Sequence, residues 1–335
     1  MAQLTVIGTG LIGTSLALAV KQSNIKNLEL VGTDSESTAR AGAQKTKAFD
    51  RVESRLASSV RDANIVVLAT PVMAMKDVME AIAGELPEGC VVTDVGSSKK
   101  VVLEWAEEYL PRTVEFVGGH PMAGKETPGP GNADATLFQE KVYCVIPAPR
   151  ATQRAVSEIT ALVDAVGARP FFLSVDEHDS FVAAASHLPF LLSVALIGCT
   201  SKSANWDDIA PLAASGFESS TRLASGDPVM HRDICLSNPE PIVAWIDAFI
   251  RELHQVRQLL GGDSPPDSDA VGDMFQKAWV ARELWRKGEV QPGGPQERIE
   301  IPGFAESMFG TIGRKLVENP SQLLGGSREK DKEGR

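Results

Sequence analysis

Cysteine is scarce in this sequence. Cys90, Cys144, Cys199 and Cys235 lie far apart in 335 residues, with no C-x-x-C pair. That spacing supplies neither a disulfide framework nor a metal-binding cluster, so reduced thiols and no metal are expected. Positive charge is also in deficit, with 33 Lys and Arg against 44 Asp and Glu and a formal net charge of −11. Such a balance repels nucleic-acid phosphates and anionic lipid, which argues against nucleic-acid and membrane partners while leaving room for a local basic pocket. The N-terminus has no basic n-region and no small-residue cleavage site, so no secretory signal is expected and the default location is cytoplasmic. One stretch, residues 181–200, carries no Asp, Glu, Lys or Arg and is long enough to cross a bilayer. His187 and Pro189 interrupt it and no Lys/Arg cluster flanks it, so a helix buried on all sides, within a domain or a dimer, is the expectation. No internal repeat is evident.

What is present is an alternation of short apolar runs with helical stretches. Strands are expected at 4–8, 28–33, 65–70, 91–95, 114–118, 142–146 and 169–173, with helices at 11–20, 73–86, 99–110 and 152–166. Continuous apolar strands separated by helices predict a doubly wound, mostly parallel α/β sheet of Rossmann type over residues 1–173. The pattern then becomes helical, with helices expected at 176–201, 206–214, 227–237, 239–260 and 267–287, making 174–287 an all-α domain. Residues 288–335 are rich in Gly, Pro and charge and are expected to form a loosely attached tail, disordered at its end. Trp245, Trp279 and Trp285 are read as packing residues in helices.

Gly8, Gly10 and Gly13 form a G-x-G-x-x-G turn (with Leu11 and Ile12 between) after the first strand and before the first helix. Asp34 ends the second strand about twenty residues further on, which completes a dinucleotide-binding fingerprint. Gly8 permits the tight turn, Gly10 lets backbone approach a pyrophosphate, and Gly13 lets helix pack close to strand. The helix N-terminus offers unpaired N–H groups to phosphate. An Asp34 carboxylate accepts ribose hydroxyls and repels a 2′-phosphate, so NAD is favoured over NADP, with Arg40 the residue that would upset this preference.

Three further segments carry chemistry: Thr93-Asp94-Val95-Gly96-Ser97-Ser98-Lys99, Gly118-Gly119-His120-Pro121-Met122-Ala123-Gly124, and Ser215-Gly216-Phe217 running to Thr221-Arg222. Ligands collect beyond the carboxyl ends of strands in open α/β sheets, which places Ser97 and His120 at one mouth. Together with Ala69-Thr70-Pro71 and Ser186-His187-Leu188-Pro189, these segments resemble the prephenate/arogenate dehydrogenase family of tyrosine biosynthesis, over about residues 3–285. The resemblance implies a Rossmann domain with a helical dimerisation domain, hence a homodimer, and NAD-dependent oxidative decarboxylation of prephenate.

On that pattern His120 accepts the proton of the substrate's ring hydroxyl as hydride leaves for NAD⁺, a role suited to an imidazole near neutral pH. Ser97 shares that contact, though a helix N-cap role competes for it. Arg222 holds a substrate carboxylate, since a guanidinium fork matches carboxylate geometry. The resemblance further places His187, Lys99 and Glu126 at the substrate, and Thr70 and Pro71 at the cofactor, while a structural reading of His187 stays open. His178, His231 and His254 match no family position and are read as solvated or structural. Two departures stand out: Ser219 replaces an Asp common three residues before the Arg, and Lys125 replaces a Thr or Ser. No fused chorismate mutase or regulatory domain is expected.

Arogenate is the alternative substrate. Two other readings remain: a different two-domain hydroxyacid dehydrogenase with Lys202 as acid/base, and a non-catalytic NAD sensor.

Overall fold

The computed structural model describes residues 1–23, 25–125, 127–262 and 264–289. Its eight strands are β1 (Ala2–Ile7), β2 (Leu28–Thr33), β3 (Arg51–Glu53), β4 (Ile65–Leu68), β5 (Val91–Asp94), β6 (Glu115–Pro121), β7 (Val142–Pro147) and β8 (Arg169–Phe172). They form one sheet in the order β3-β2-β1-β4-β5-β6-β7-β8. Every neighbouring pair is parallel except β6 with β7. The strand order reverses at β1, so the crevice beyond the carboxyl ends of β1 and β4 is the switch point where such sheets bind ligands.

Helices α1 (Leu11–Gln22), α2 (Ser37–Thr46), α3 (Leu56–Val60), α4 (Met75–Ile82), α5 (Lys100–Tyr109) and α6 (Gln153–Ala165) cover the sheet. Two apolar cores result. One joins Leu4, Val6 and Val117 to Leu16 of α1 and Ile159 of α6; the other joins Ile7, Val66 and Val92 to Met79 of α4 and Val102 of α5. Burial on both faces explains why the strands read as unbroken apolar runs. Strand β3 and helices α2 and α3 escaped the sequence reading; β3 is three half-buried residues with Arg51 and Glu53 at its ends, too short and polar to show periodicity.

The helices after the sheet are α7 (Val175–Val182), α8 (Leu188–Thr200), α9 (Trp206–Ile209), α10 (Ser215–Thr221), α11 (Pro228–Ser237), α12 (Pro239–Leu260) and α13 (Ser268–Lys287). The single helix expected over 176–201 is divided by a π-helical turn, Ala183–His187. Pro189 supplies the reason: it has no N–H to continue the ladder, and a wider turn before it absorbs the mismatch. Pro211 likewise ends α9 after one turn and turns the chain into a 3₁₀ segment, Ala210–Leu212.

The described chain forms two compact units, Met1–Trp245 and a second from Ile246 onward. The first contains the sheet and α7 to α11. In the second, Phe275, Trp279 and Trp285 are exposed, at 66%, 61% and 67%, so the expected packing of Trp279 and Trp285 is not seen among the described residues. The apolar segment is likewise not enclosed by its own domain, the first of the two covers expected for it. Val175–Thr200 is long and apolar enough to span a membrane, yet only 28% of its most apolar window is buried, rather than being covered on all sides. Phe181, Val194 and Leu196 are among its exposed side chains. The expected tail falls outside the described residues from position 290 on.

Candidate active site

The glycine turn is shaped by backbone. Gly8 has φ +100°, and a β-carbon there would meet the Ala69 carbonyl oxygen at 2.4 Å. A β-carbon on Gly13 would lie 2.0 Å from the Gly8 carbonyl oxygen, because α1 crosses so close to the strand end. Gly10 differs: nothing lies within 4 Å of the same position, so its space is open. Gly10 caps α1 without a side-chain hydrogen bond, leaving first-turn N–H groups directed at that space.

Asp34, just past β2, locks the turn in place. Its Oδ2 accepts from the Thr9 N–H at 2.7 Å and its Oδ1 from the Glu36 N–H at 3.0 Å. The Thr9 hydroxyl also donates to Oδ2, at 3.3 Å, which leaves a lone pair on Oδ1 for a ribose hydroxyl. Arg40 donates to the backbone carbonyls of Asp34 and Ser35, so its guanidinium is engaged beside the turn. The cradle therefore fits a dinucleotide: an open glycine, uncapped N–H groups and a carboxylate at the ribose end.

A cavity of about 470 Å³ opens from this turn. Of the expected site residues, Gly10, Leu11, Ile12, Thr70, Pro71, Ser97, His120 and Arg222 line it. These come from the ends of β1, β4, β5 and β6 and from a 3₁₀ segment, Arg222–Ser225, after α10. Among the described residues the buried Thr70 hydroxyl has no hydrogen-bond partner, a polar atom left for a ligand. Lys125 also lines the cavity and pairs with Asp134 at 2.9 Å. Glu126 lies outside the described residues.

His120 sits in β6, 8% exposed, and its Nδ1 lies 2.9 Å from Nε2 of His178. His178, fully buried on α7, places its own Nδ1 2.7 Å from Oδ1 of Asp179. Asp179 is anchored in turn, accepting from the Lys99 and Lys100 N–H groups at 2.8 Å each. That pair of bonds caps α5, which begins at Lys100, so the N-cap role weighed for Ser97 belongs to Asp179. Burial, then the neighbouring His178, Lys99 and His187, hold His120 well below the ordinary imidazole range. Burial lowers His178 too, against the pull of Asp179. Sequence reasoning missed His178 and Asp179, which lie 58 residues and more from His120 and carry no motif; the signal was their place in the first turns of a helix that opens the second half of the chain.

Two expected substrate residues are placed elsewhere. Lys99 is wholly buried and its ammonium is paired with the buried Asp94 carboxylate, which also accepts from the Gly96 and Gly119 N–H groups. Its charge reaches His120 through space, but its side chain is not on the cavity wall. The reason is geometric: Lys99 follows β5 just before α5, and the nearest anion is Asp94 at the end of β5. His187 is fully buried in the π turn, its Nδ1 3.3 Å from the Asn238 side-chain nitrogen, and burial lowers it to about 4. It too stands behind the wall. His231, by contrast, lines the cavity, stacked on Phe190 with ring centroids 4.2 Å apart. Lys202 occupies an exposed turn away from the cavity, which removes the observation that would favour it as an acid/base.

Comparison with known proteins gives a consistent result. Residues 16–171 match a family profile described as "Prephenate dehydrogenase, nucleotide-binding domain", and residues 174–273 one described as "Prephenate dehydrogenase, dimerization domain". A prephenate dehydrogenase of Bacillus subtilis is 34% identical over 252 residues, covering 75% of this chain and 68% of that protein. A cyclohexadienyl dehydrogenase of Zymomonas mobilis is 30% identical, covering 83% and 94%. Among solved structures, prephenate dehydrogenase from Aquifex aeolicus, crystallised with hydroxyphenyl propionate and NAD⁺, aligns with a TM-score of 0.76 at 24% identity, covering 86% and 98%, a likeness of fold.

Proposed function

This chain belongs to the prephenate dehydrogenase family, and we propose that it oxidises prephenate with NAD⁺ to 4-hydroxyphenylpyruvate, CO₂ and NADH. The observation that carries the reading is His120 on the wall of one cavity that also holds the glycine turn at one side and Arg222 at another.

NAD⁺ supplies the hydride acceptor when bound. Gly8, Gly10, Leu11, Ile12 and Gly13 shape its phosphate cradle, Asp34 holds the ribose, and Thr70 and Pro71 line its path. His120 takes the proton of the substrate's ring hydroxyl, which raises electron density at the carbon that loses hydride. Burial keeps this imidazole neutral, as a base must be. Ser97 shares the hydroxyl contact. Arg222 binds a carboxylate by its fork, where charge-assisted hydrogen bonds are strongest. Aromatisation of the ring then drives CO₂ loss.

Arogenate is the second reading, favoured by the relative named cyclohexadienyl dehydrogenase. We place the division between the nucleotide-binding and helical parts near residue 173, and assign a homodimer that covers the open apolar face of Val175–Thr200, in the cytoplasm with the biosynthetic dehydrogenases it resembles. Purified protein with NAD⁺ and each substrate in turn, followed by NADH absorbance, tests the activity. Turnover of prephenate is expected; absence of NADH with both substrates overturns the proposal. A single sedimentation species of two chains is expected for the assembly.

A further inference from the structure

Counting donors and acceptors along the buried chain from Asp179 to His120 fixes every proton in it. Both Asp179 oxygens accept backbone N–H groups at the head of α5, so the carboxylate has only acceptors to offer. The Nδ1 of His178, 2.7 Å away, must therefore carry the hydrogen. A neutral imidazole has one N–H, which makes Nε2 of His178 an acceptor. The contact at 2.9 Å then requires Nδ1 of His120 to donate. The nitrogen left bare is Nε2 of His120, the one remaining for the cavity.

We infer that His178, held by Asp179, is a positioning residue that fixes the tautomer of His120 and so presents a bare Nε2 to the substrate hydroxyl. The inference rests on His120 acting as the base, but it concerns a proton position that is measurable without turnover. The geometry selects it against the alternative reading of His178 as packing. A buried packing histidine satisfies its ring with any carbonyl or water, whereas this one bridges an anchored carboxylate and the cavity-wall histidine at the end of β6. The surroundings are compatible. Lys99 is neutralised by Asp94, His187 faces Asn238, and Cys144 pairs with His120 across β6 and β7, so no other described group competes for Nδ1 of His120. When Nε2 takes up the hydroxyl proton, His120 becomes an imidazolium whose Nδ1–H is still accepted by His178, and no further proton need move.

Protein labelled with ¹⁵N in its histidine rings, measured at pH 8, tests this. The His120 pattern is assigned by its loss in His120→Asn. The expected result is protonated Nδ1 and bare Nε2 at His120 in the wild type. In His178→Gln the amide oxygen replaces the acceptor, so the pattern and kcat to within about tenfold should persist. In His178→Leu the acceptor is gone; the His120 spectrum should become a mixture, and kcat should fall about 10²-fold with KM changed less than threefold. A proton on Nε2 of wild-type His120 overturns the inference. So does a His178→Leu protein with normal kcat and an unchanged nitrogen pattern, or one in which both variants lower the melting temperature alone. Should His178→Leu fail to fold, the wild-type spectrum and the Gln variant decide. Should the protein turn over neither substrate, the functional reading fails while the spectrum still tests the tautomer.

Discussion

The glycine turn and the histidine relay face the same cavity and are built on opposite principles. The turn works by what is missing: Gly10 leaves space and α1 leaves its first N–H groups uncapped. The relay works by saturation: from the head of α5 through Asp179 and His178 to His120, each donor meets an acceptor in the buried interior. An open site can receive a ligand of many atoms. A saturated one can hold a single proton at a chosen nitrogen, because any other arrangement leaves a buried group unpaired. Within one mouth, therefore, binding is delegated to backbone that offers room and proton handling to side chains that have none.

The sharpest way to break this contrast is to remove its reacting end. His120→Asn should lower kcat by about 10²- to 10⁴-fold with little change in KM, read by steady-state NADH formation; a normal kcat would leave the relay without a purpose. Next in size is Lys99→Met, which strands the Asp94 carboxylate in the interior and should cost about 3–5 kcal/mol of unfolding free energy in a urea titration. The two glycines of the turn should then part company. Gly13→Ala forces a β-carbon against the Gly8 carbonyl and should cost about 3 kcal/mol in the same titration. Gly10→Ala should leave stability intact and weaken NAD⁺ binding by calorimetry, since its β-carbon enters empty space. Arg222→Gln should raise KM roughly 30-fold, about 2 kcal/mol, by removing a charge-assisted contact.

The last effect is on acid stability. Burial depresses His120, His178 and His187, the last to about 4, whereas in the unfolded chain each titrates near 6.5. Below about pH 6.5 the unfolded chain takes up protons that the folded one refuses. Stability is thus complete above that pH and declines as pH falls toward 4. Melting temperatures measured from pH 8 to 5 should drop on the acid side, and His187→Gln should flatten that slope.

The sequence by itself determined the things that are local. Unbroken apolar strands alternating with helices announced the doubly wound sheet, since burial on two faces writes itself into adjacent residues. The turn from Gly8 to Gly13 was legible because its requirements fall within six neighbouring positions and concern the lack of side chains. His120 and Ser97 were legible as strand-end residues, which the topology sends to one edge. Only the tertiary structure decided that Asp179, and not Ser97, caps α5, that Lys99 turns inward to Asp94, that His187 stands behind the wall, and that His178 meets His120 across 58 residues. The reason is that a hydrogen bond or a buried ion pair belongs to two groups at once. Its existence depends on which elements are packed together, and no pattern along one stretch of chain contains that.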